Sequence, residues 1–586
     1  MTQAPAEPQA LAERVGARLR LPGFVPAWAV AALCAAAALA AYAPSLRYDL
    51  VWDDPVLRGY VLKLFERGGL RAVLAAEFKL EEVAGYYRPL VLVSFLLDER
   101  LSNLLGTSHH ATNLVLHAAT AAAVARLILT WSASAAAALC GGLLFALHPV
   151  HVESVAFVSG RTDLWAALLA VLAALAWERA RTRGGTAARL AFAAHLASFA
   201  AACLAKEVAL LLPLALLWTD LMLYRGGAAG LSGFVLRNRA WLVGWAGVLA
   251  AVFLLRAGVA HVQLGAGLDP PVTGAEAGAA ARLLLGRWLR YFGLLAVPWP
   301  LSAWYGVDQL QPTPAAVGGI AMLTGLGACA WRLGAARAFL HGMGWVAIFL
   351  VPVSGIARLP GSALAERFLY LPSVGLCLAA GALTAAAARV TPARRGLAAA
   401  WVGILSLCLT ATLARLPVWR NDLSLALDME ATSPRASMGF ARHALVAAQT
   451  GRYPEAAAAV REALKRDPTS VQHWMLSALI SGRMGQIDAE IATYRRILAM
   501  APGNAKVAYN LAMALLDQGK PQEAAAQLRA TLAAHPDLEE ASISLGRILE
   551  QQGERAEAAA VYRRLLARVP GHAVAAGRLK ALAASP

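Results

Sequence analysis

Charge is what this 586-residue chain has least of: 15% of its residues are Asp, Glu, Lys or Arg, where a soluble domain carries about 25%. With 59% hydrophobic residues and a mean hydropathy of +0.54, the chain cannot clothe its surface in polar groups, which excludes an ordinary water-soluble enzyme. Cysteine is also sparse. All six (Cys34, Cys140, Cys203, Cys329, Cys377, Cys408) fall inside apolar stretches, so neither a disulfide framework nor a paired-cysteine zinc site is expected. Lysine is nearly as sparse, with Lys206 alone between Lys79 and Lys465. The balance of 53 basic against 36 acidic residues, +17, would suit a nucleic-acid binder, but the arginines are scattered rather than gathered into one patch, so no nucleic-acid partner is expected.

Long apolar runs are abundant. They fall near 27–44, 111–130, 133–149, 164–178, 188–205, 208–224, 241–257, 315–331, 339–356, 367–388 and 397–414, about eleven spans by the ~20-residue criterion. The polar lead 1–26, with Arg14, Arg18 and Arg20, is expected on the cytoplasmic side of a start-transfer anchor. Counting outward from there, the cytoplasmic links collect Arg179, Arg181 and Arg183, then Arg225, Arg237 and Arg239, then Arg332 and Arg337, then Arg389, Arg394 and Arg395, as the positive-inside rule requires. The count holds if 282–297, with Arg287, Trp288, Arg290 and Tyr291, lies in the interface or re-enters.

From about 434 the pattern changes. Pro434, Pro468, Pro502, Pro536 and Pro570 recur every 34 residues, in register with Gly451, Gly485, Gly519 and Gly553 and with the larger residues Val460, Tyr494, Leu528 and Tyr562. That period, with a turn glycine and a helix-ending proline, is the tetratricopeptide signature: four repeats and a capping helix over 434–586, an α-solenoid that recruits peptide or protein. Parity places this array outside the cytoplasm.

Chemistry is expected where polar groups crowd the outer membrane edge. The loop 45–110 carries Trp52, Asp53, Asp54, Tyr87 and Arg88; adjacent carboxylates suit proton abstraction, one charge raising the basicity of its neighbour. Between two spans stand His148, His151, Glu153, Arg161 and Asp163, a density that is costly unless paired or functional. Lys206-Glu207 interrupts an apolar stretch, and Glu366-Arg367 precedes Tyr370. Lys206 and Arg367 suit an anionic phosphate head group. Asp53, Asp54, His148, His151 and Glu153 are weak metal candidates, since no standard ligand spacing occurs.

The runs WDD at 52–54, YRPL at 87–90, HHATNLVLHA at 109–118, HPVHVESVAFVSGRTDL at 148–164, AKE at 205–207 and ERFLYLP at 366–372 together resemble the TMTC family of transmembrane and tetratricopeptide-repeat proteins. The resemblance implies an all-α polytopic GT-C glycosyltransferase fold over 27–420, related to protein O-mannosyltransferases. It further implies a polyprenyl-phosphate sugar as donor, and Asp53 or Asp54 as the base for an acceptor hydroxyl, with inversion. Arg88, Arg161, Lys206 and Arg367 are then the donor-phosphate cations, supported by Trp52, Tyr87, His148, His151, Glu153, Asp163, Glu207, Glu366 and Tyr370. No cofactor is required by this scheme, and a divalent cation is left open. The site would face outward from a bacterial inner membrane, with membrane lipid and a protein or envelope-glycan acceptor as partners. Two other readings stay open: a non-enzymatic scaffold that recruits envelope proteins, and an oligosaccharide ligase or polymerase. The last would concentrate its key residues in a late outer loop, where 258–314 offers only His261, Asp269, Glu276, Arg282, Arg287, Arg290 and Asp308.

Overall fold

The computed structural model describes residues 26–80, 83–101, 106–224, 231–258, 275–353, 364–390 and 394–584. The cytoplasmic segment expected at 1–26, save its last residue, lies outside them, as do Arg225, His261 and Asp269. The chain divides into two units, Met1–Asp428 and Met429–Pro586.

In the first unit, α1 (Ala27–Tyr42) leads into the long loop expected on the outer side. That loop is built of α2 (Asp54–Ala75), an antiparallel hairpin of β1 (Phe78–Leu80) and β2 (Val83–Tyr86), and α3 (Pro89–Leu101). The hairpin is the only sheet among the described residues of an otherwise helical chain. Then come α4 (Thr107–Ser132), α5 (Ala135–Leu147), α6 (Val152–Ala156), α7 (Arg161–Thr182), α8 (Gly185–Cys203) and α9 (Leu212–Thr219). These are followed by α10 (Leu231–Gly258), α11 (Ala275–Ala296), α12 (Pro314–Arg332), α13 (Ala336–Leu350), α14 (Pro372–Ala387), α15 (Arg394–Arg415) and α16 (Asp422–Thr432).

Among the described residues, nine helical runs are long and apolar enough to cross a membrane; a tenth, α5 with Pro149–Ala156, is bent by 47°, and Pro372–Ala387 is a shorter apolar helix. These are the same eleven stretches that hydropathy marks in the sequence, and the protein is a multi-pass membrane protein. α11 is not among them: Arg282, Arg287 and Arg290 interrupt its apolar face.

The spans differ in their surroundings. The run containing α7 is 78% buried within the protein, that of α10 only 17%. Val243 and Leu254 on α10 and Val402 and Leu407 on α15 are left uncovered, as lipid-facing side chains are. α13 and α14 meet backbone to backbone, because a Cβ at Gly342 or Gly375 would strike the other's carbonyl oxygen.

In the second unit, four antiparallel helix pairs follow the 34-residue period: α17 (Met438–Gln449) with α18 (Tyr453–Arg466), α19 (Val471–Arg483) with α20 (Ile487–Met500), α21 (Ala505–Asp517) with α22 (Pro521–Ala534), and α23 (Glu539–Gln551) with α24 (Arg555–Arg568). α25 (Ala573–Ala584) closes the array. Gly451, Gly485, Gly519 and Gly553 turn each pair with φ of 75°, 74°, 80° and 80°, a conformation that glycine adopts without steric cost. Val460, Tyr494, Leu528 and Tyr562 are all buried in the repeat core, where the period places them.

Candidate functional site

Alternating spans bring one set of chain segments to the same end of the membrane unit: the turn after α1, the hairpin before α3, the start of α7, the α8–α9 link and the segment before α14. The singled-out residues converge there. Asp53 and Asp54 begin α2, but their carboxylates do different things. Asp54 is fully buried: its Oδ2 accepts from the N–H of Val51 and of Val158, each at 3.2 Å, and its Oδ1 from Ser159 N–H at 2.7 Å and Ser159 Oγ at 2.6 Å. Burial pushes this carboxyl up to about 7, against the pull of those four donors. Asp54 therefore staples the loop after α1 to the entry of α7. Asp53 is half-buried, and its charge adds, after those of Glu153 and Asp163, to what keeps the Arg367 guanidinium protonated in spite of its burial.

Around Asp53 the charges alternate in sign. Arg367 binds Glu153 through its guanidinium, and its backbone N–H donates to Glu153 Oε2 at 2.9 Å. Lys206 donates to both oxygens of Asp163 at 2.6 Å, and Phe368 lies 5.1 Å from Lys206 Nζ and from the Arg367 guanidinium. Burial, then the nearby cations Arg88 and Arg367, hold the Lys206 ammonium below its ordinary range in spite of Asp163. Arg88 donates to Glu207 Oε2 at 2.7 and 3.1 Å while lying over Tyr86, and Arg256 takes Glu207 Oε1 at 3.1 Å. Each cation thus has a carboxylate partner and a cationic neighbour.

Several expectations are corrected by this geometry. Arg161, read as a donor-phosphate cation, is fully buried away from the charge row: it pairs with Asp98 at 2.6 Å and donates to Asn113 Oδ1 at 2.9 Å and the His109 carbonyl at 2.8 Å. His148 and His151, read as weak metal candidates, spend their ring nitrogens on the Leu295 carbonyl (3.1 Å) and on the Phe145 carbonyl and Ser373 Oγ (2.8 Å each). With Glu153 on Arg367 and Asp54 on backbone amides, these residues and Asp53 form no metal-ligand group; among the described residues no cluster of three or more His, Cys, Asp or Glu is suited to a metal ion. Lys206, read as a donor-phosphate cation, is already paired with Asp163.

The supporting residues are placed as follows. The Trp52 ring packs 5.8 Å from Trp304 and 6.1 Å from Phe157; Tyr87 ties the hairpin to α2 by donating to the Leu74 carbonyl at 2.9 Å; Tyr370 meets His117 at 2.8 Å in the interior. Glu366 is buried, accepting from Ser302 N–H at 2.6 Å and Tyr305 OH at 2.9 Å, and burial raises it to about 8.

Sequence reading missed Asp98, Glu99, His109 and Arg58. Their chain of contacts (His109 with Asp98 at 3.0 Å and Glu99 at 2.8 Å, Arg58 with Glu99 at 2.6 Å) locks the loop onto α4. The available signal was polar residues at the head of an apolar helix. Arg256, at the end of an apolar span, carried a similar signal. At the opposite end of the unit Arg181 and Arg237, counted only as orienting charges, both bind the buried Asp220, at 2.6 and 2.8 Å.

A tetratricopeptide-repeat family matches residues 442–505 and 509–573. The protein O-mannosyl-transferase TMTC1 of Mus musculus is 36% identical over 186 residues, 29% of this chain and 19% of that protein. Tmtc2 of Drosophila melanogaster is 39% identical over 163 residues, covering 26% and 16%. Among solved structures, MamA aligns at 18% identity with a TM-score of 0.24, covering 26% of this chain and 88% of that one. YrrB, described as a tetratricopeptide protein with an unusual peptide-binding site, aligns at 16% with a TM-score of 0.24, covering 27% and 81%. The chain spans about a fifth or less of the length of the curated relatives it matches. In sequence the chain is similar, over less than a third of its length, to protein O-mannosyl-transferases named TMTC, and it carries tetratricopeptide repeats.

Proposed function

We propose that this protein is a membrane glycosyltransferase of GT-C type that moves a mannose-like sugar from a polyprenyl phosphate to a hydroxyl of a protein or envelope-glycan acceptor on the outer face of a bacterial inner membrane. The observation that carries the proposal is the half-buried Asp53 acting on Arg367, with Lys206 and Arg88 in the same charge row. The relatives' names supply the reaction class. A sugar phosphate is a competent leaving group, so transfer needs a base for the acceptor and cations for the phosphate, and no strong general acid.

In the proposed step Asp53 takes the proton of the acceptor hydroxyl as its oxygen attacks the anomeric carbon. The bond from that carbon to the phosphate oxygen breaks with inversion, and the polyprenyl phosphate leaves with the electron pair toward Arg367, Lys206 and Arg88. Trp52 and Trp304 offer aromatic faces near the base. The repeats recruit the acceptor, and by parity they lie on the same outer side as the site.

Purified protein incubated with a panel of polyprenyl-phosphate sugars and periplasmic proteins, read by mass spectrometry of the proteins, tests the assignment. Asp53→Asn is expected to lower transfer at least ~1,000-fold, since it removes both a base and a charge, with the same detergent-extracted yield. Undiminished transfer by this variant would overturn the role given to Asp53.

A further inference from the structure

Trp52 has φ of 55°, and the other non-glycine with positive φ among the described residues, Ala133 at 53°, merely ends α4 in the usual left-handed cap. A bulky side chain in that region costs roughly 1–2 kcal/mol and persists only where its surroundings enforce it. Trp52 is the second residue of a turn closed by Asp54 N–H to the Val51 carbonyl at 3.0 Å, a position that glycine, asparagine or aspartate fills when φ is positive.

Two bonds from a segment some 370 residues later enforce it: Trp52 N–H donates to Asp422 Oδ1 at 3.0 Å, and Asp49 N–H to the Arg420 carbonyl at 3.0 Å. Asp422 is itself held rigidly. It opens α16 beside a reciprocal cap, in which Ser424 N–H donates to Asn421 Oδ1 at 2.9 Å and Asn421 N–H to Ser424 Oγ at 3.1 Å. Trp419, just before it, is buried 5.3 Å from Phe157, the ring that also faces Trp52.

We infer that Asp422 is a positioning residue: its carboxylate holds Trp52 in the left-handed conformation and so fixes the direction in which the next residue, Asp53, presents its carboxylate. The catalytic half of this inference rests on the reading of Asp53 as base. It gives the segment after the last span a task in the site at the first one.

The test compares Asp422→Ala with Asp422→Asn in the full-length protein by two readouts, sugar transfer from mannosyl polyprenyl phosphate and hydrogen–deuterium exchange of the peptide over residues 48–54. An asparagine Oδ1 still accepts the Trp52 N–H; an alanine cannot. Asp422→Ala is expected to lower kcat on the order of ten- to a hundred-fold, the cost of a small misplacement of a reacting group, with donor KM within about two-fold. It should also speed exchange at 48–54, while Asp422→Asn stays near wild type in both. Equal impairment of the two variants, or unchanged exchange in Asp422→Ala, would overturn the clamp. Should the wild type transfer nothing while Asp422→Ala alone accelerates exchange, the clamp stands and the glycosyltransferase reading falls.

Discussion

Lys206 is the cation that Asp163 binds directly, through hydrogen bonds of 2.6 Å on both oxygens. Removing one member of a buried pair strands the other, at about 3–5 kcal/mol. Lys206→Met should therefore be poorly folded, a point measured by detergent-extracted yield and thermal midpoint. Lys206→Met with Asp163→Asn should recover most of the yield and expose the loss of donor affinity by itself, as a raised donor KM. Two carboxyls argue in another direction. Asp54 rises to about 7 and Glu366 to about 8 through burial, so the folded state binds their protons more tightly than the unfolded chain does. The stability they lend is fully present below the unfolded values, near 4, and is lost as pH rises through about 7 to 8. The thermal midpoint should fall between pH 5 and 8, and Asp54→Asn and Glu366→Gln should each flatten that fall. At this scale the sequence displayed residue types: paired aspartates, an isolated lysine, arginines beside aromatic rings. It could not display partnership. That Asp54 grips Val158 and Ser159, or that Trp52 leans on Asp422, depends on approaches across 100 and more residues, and no local spacing encodes them.

Among the elements, the repeats were the most legible, because each is specified locally by glycine, proline and a 34-residue period. Ser470 and Asn504 cap α19 and α21 by accepting from His473 and Val507 N–H, at 3.2 and 3.1 Å; the equivalent Leu538 makes no cap bond and packs against the repeat core instead. Gly519, at φ 80°, tests the turn: Gly519→Ala should destabilise the α21–α22 pair by about 1–2 kcal/mol, seen as faster hydrogen exchange over 505–534 in the full-length protein. The outer loop was the least legible element. Its hairpin is a strand of three residues against one of four, too short for any alternation to register, and α2 breaks at Gly68-Gly69 inside a run that reads as one helix. α11 shows how composition and geometry divide the work: its three arginines disqualify it as an apolar span, yet it folds as a continuous 22-residue helix packed against α12, where Gly293 and Gly319 let the backbones approach.

For the molecule as a whole, hydropathy marked the runs that fold as long apolar helices among the described residues, because a bilayer sets a minimum length for each, while parity supplies an orientation that is open to direct test. A reporter active only in the cytoplasm should be silent when fused after residue 420 and active when fused within 225–230; the opposite pattern would invert the site and the repeats together. Arg161 bears on how such a chain is made. It enters at the head of α7, one of the most enclosed spans, and its partners Asp98, Asn113 and the His109 carbonyl all precede it in the chain. An arginine at a span costs up to about 3 kcal/mol to insert when nothing receives it. Here the receiving groups, on α3 and α4, are synthesised first, so they are available when α7 emerges. The order of synthesis thus matches the order of need: the groups that take up the charge and the N–H donors of Arg161 stand earlier in the chain than the span that carries it.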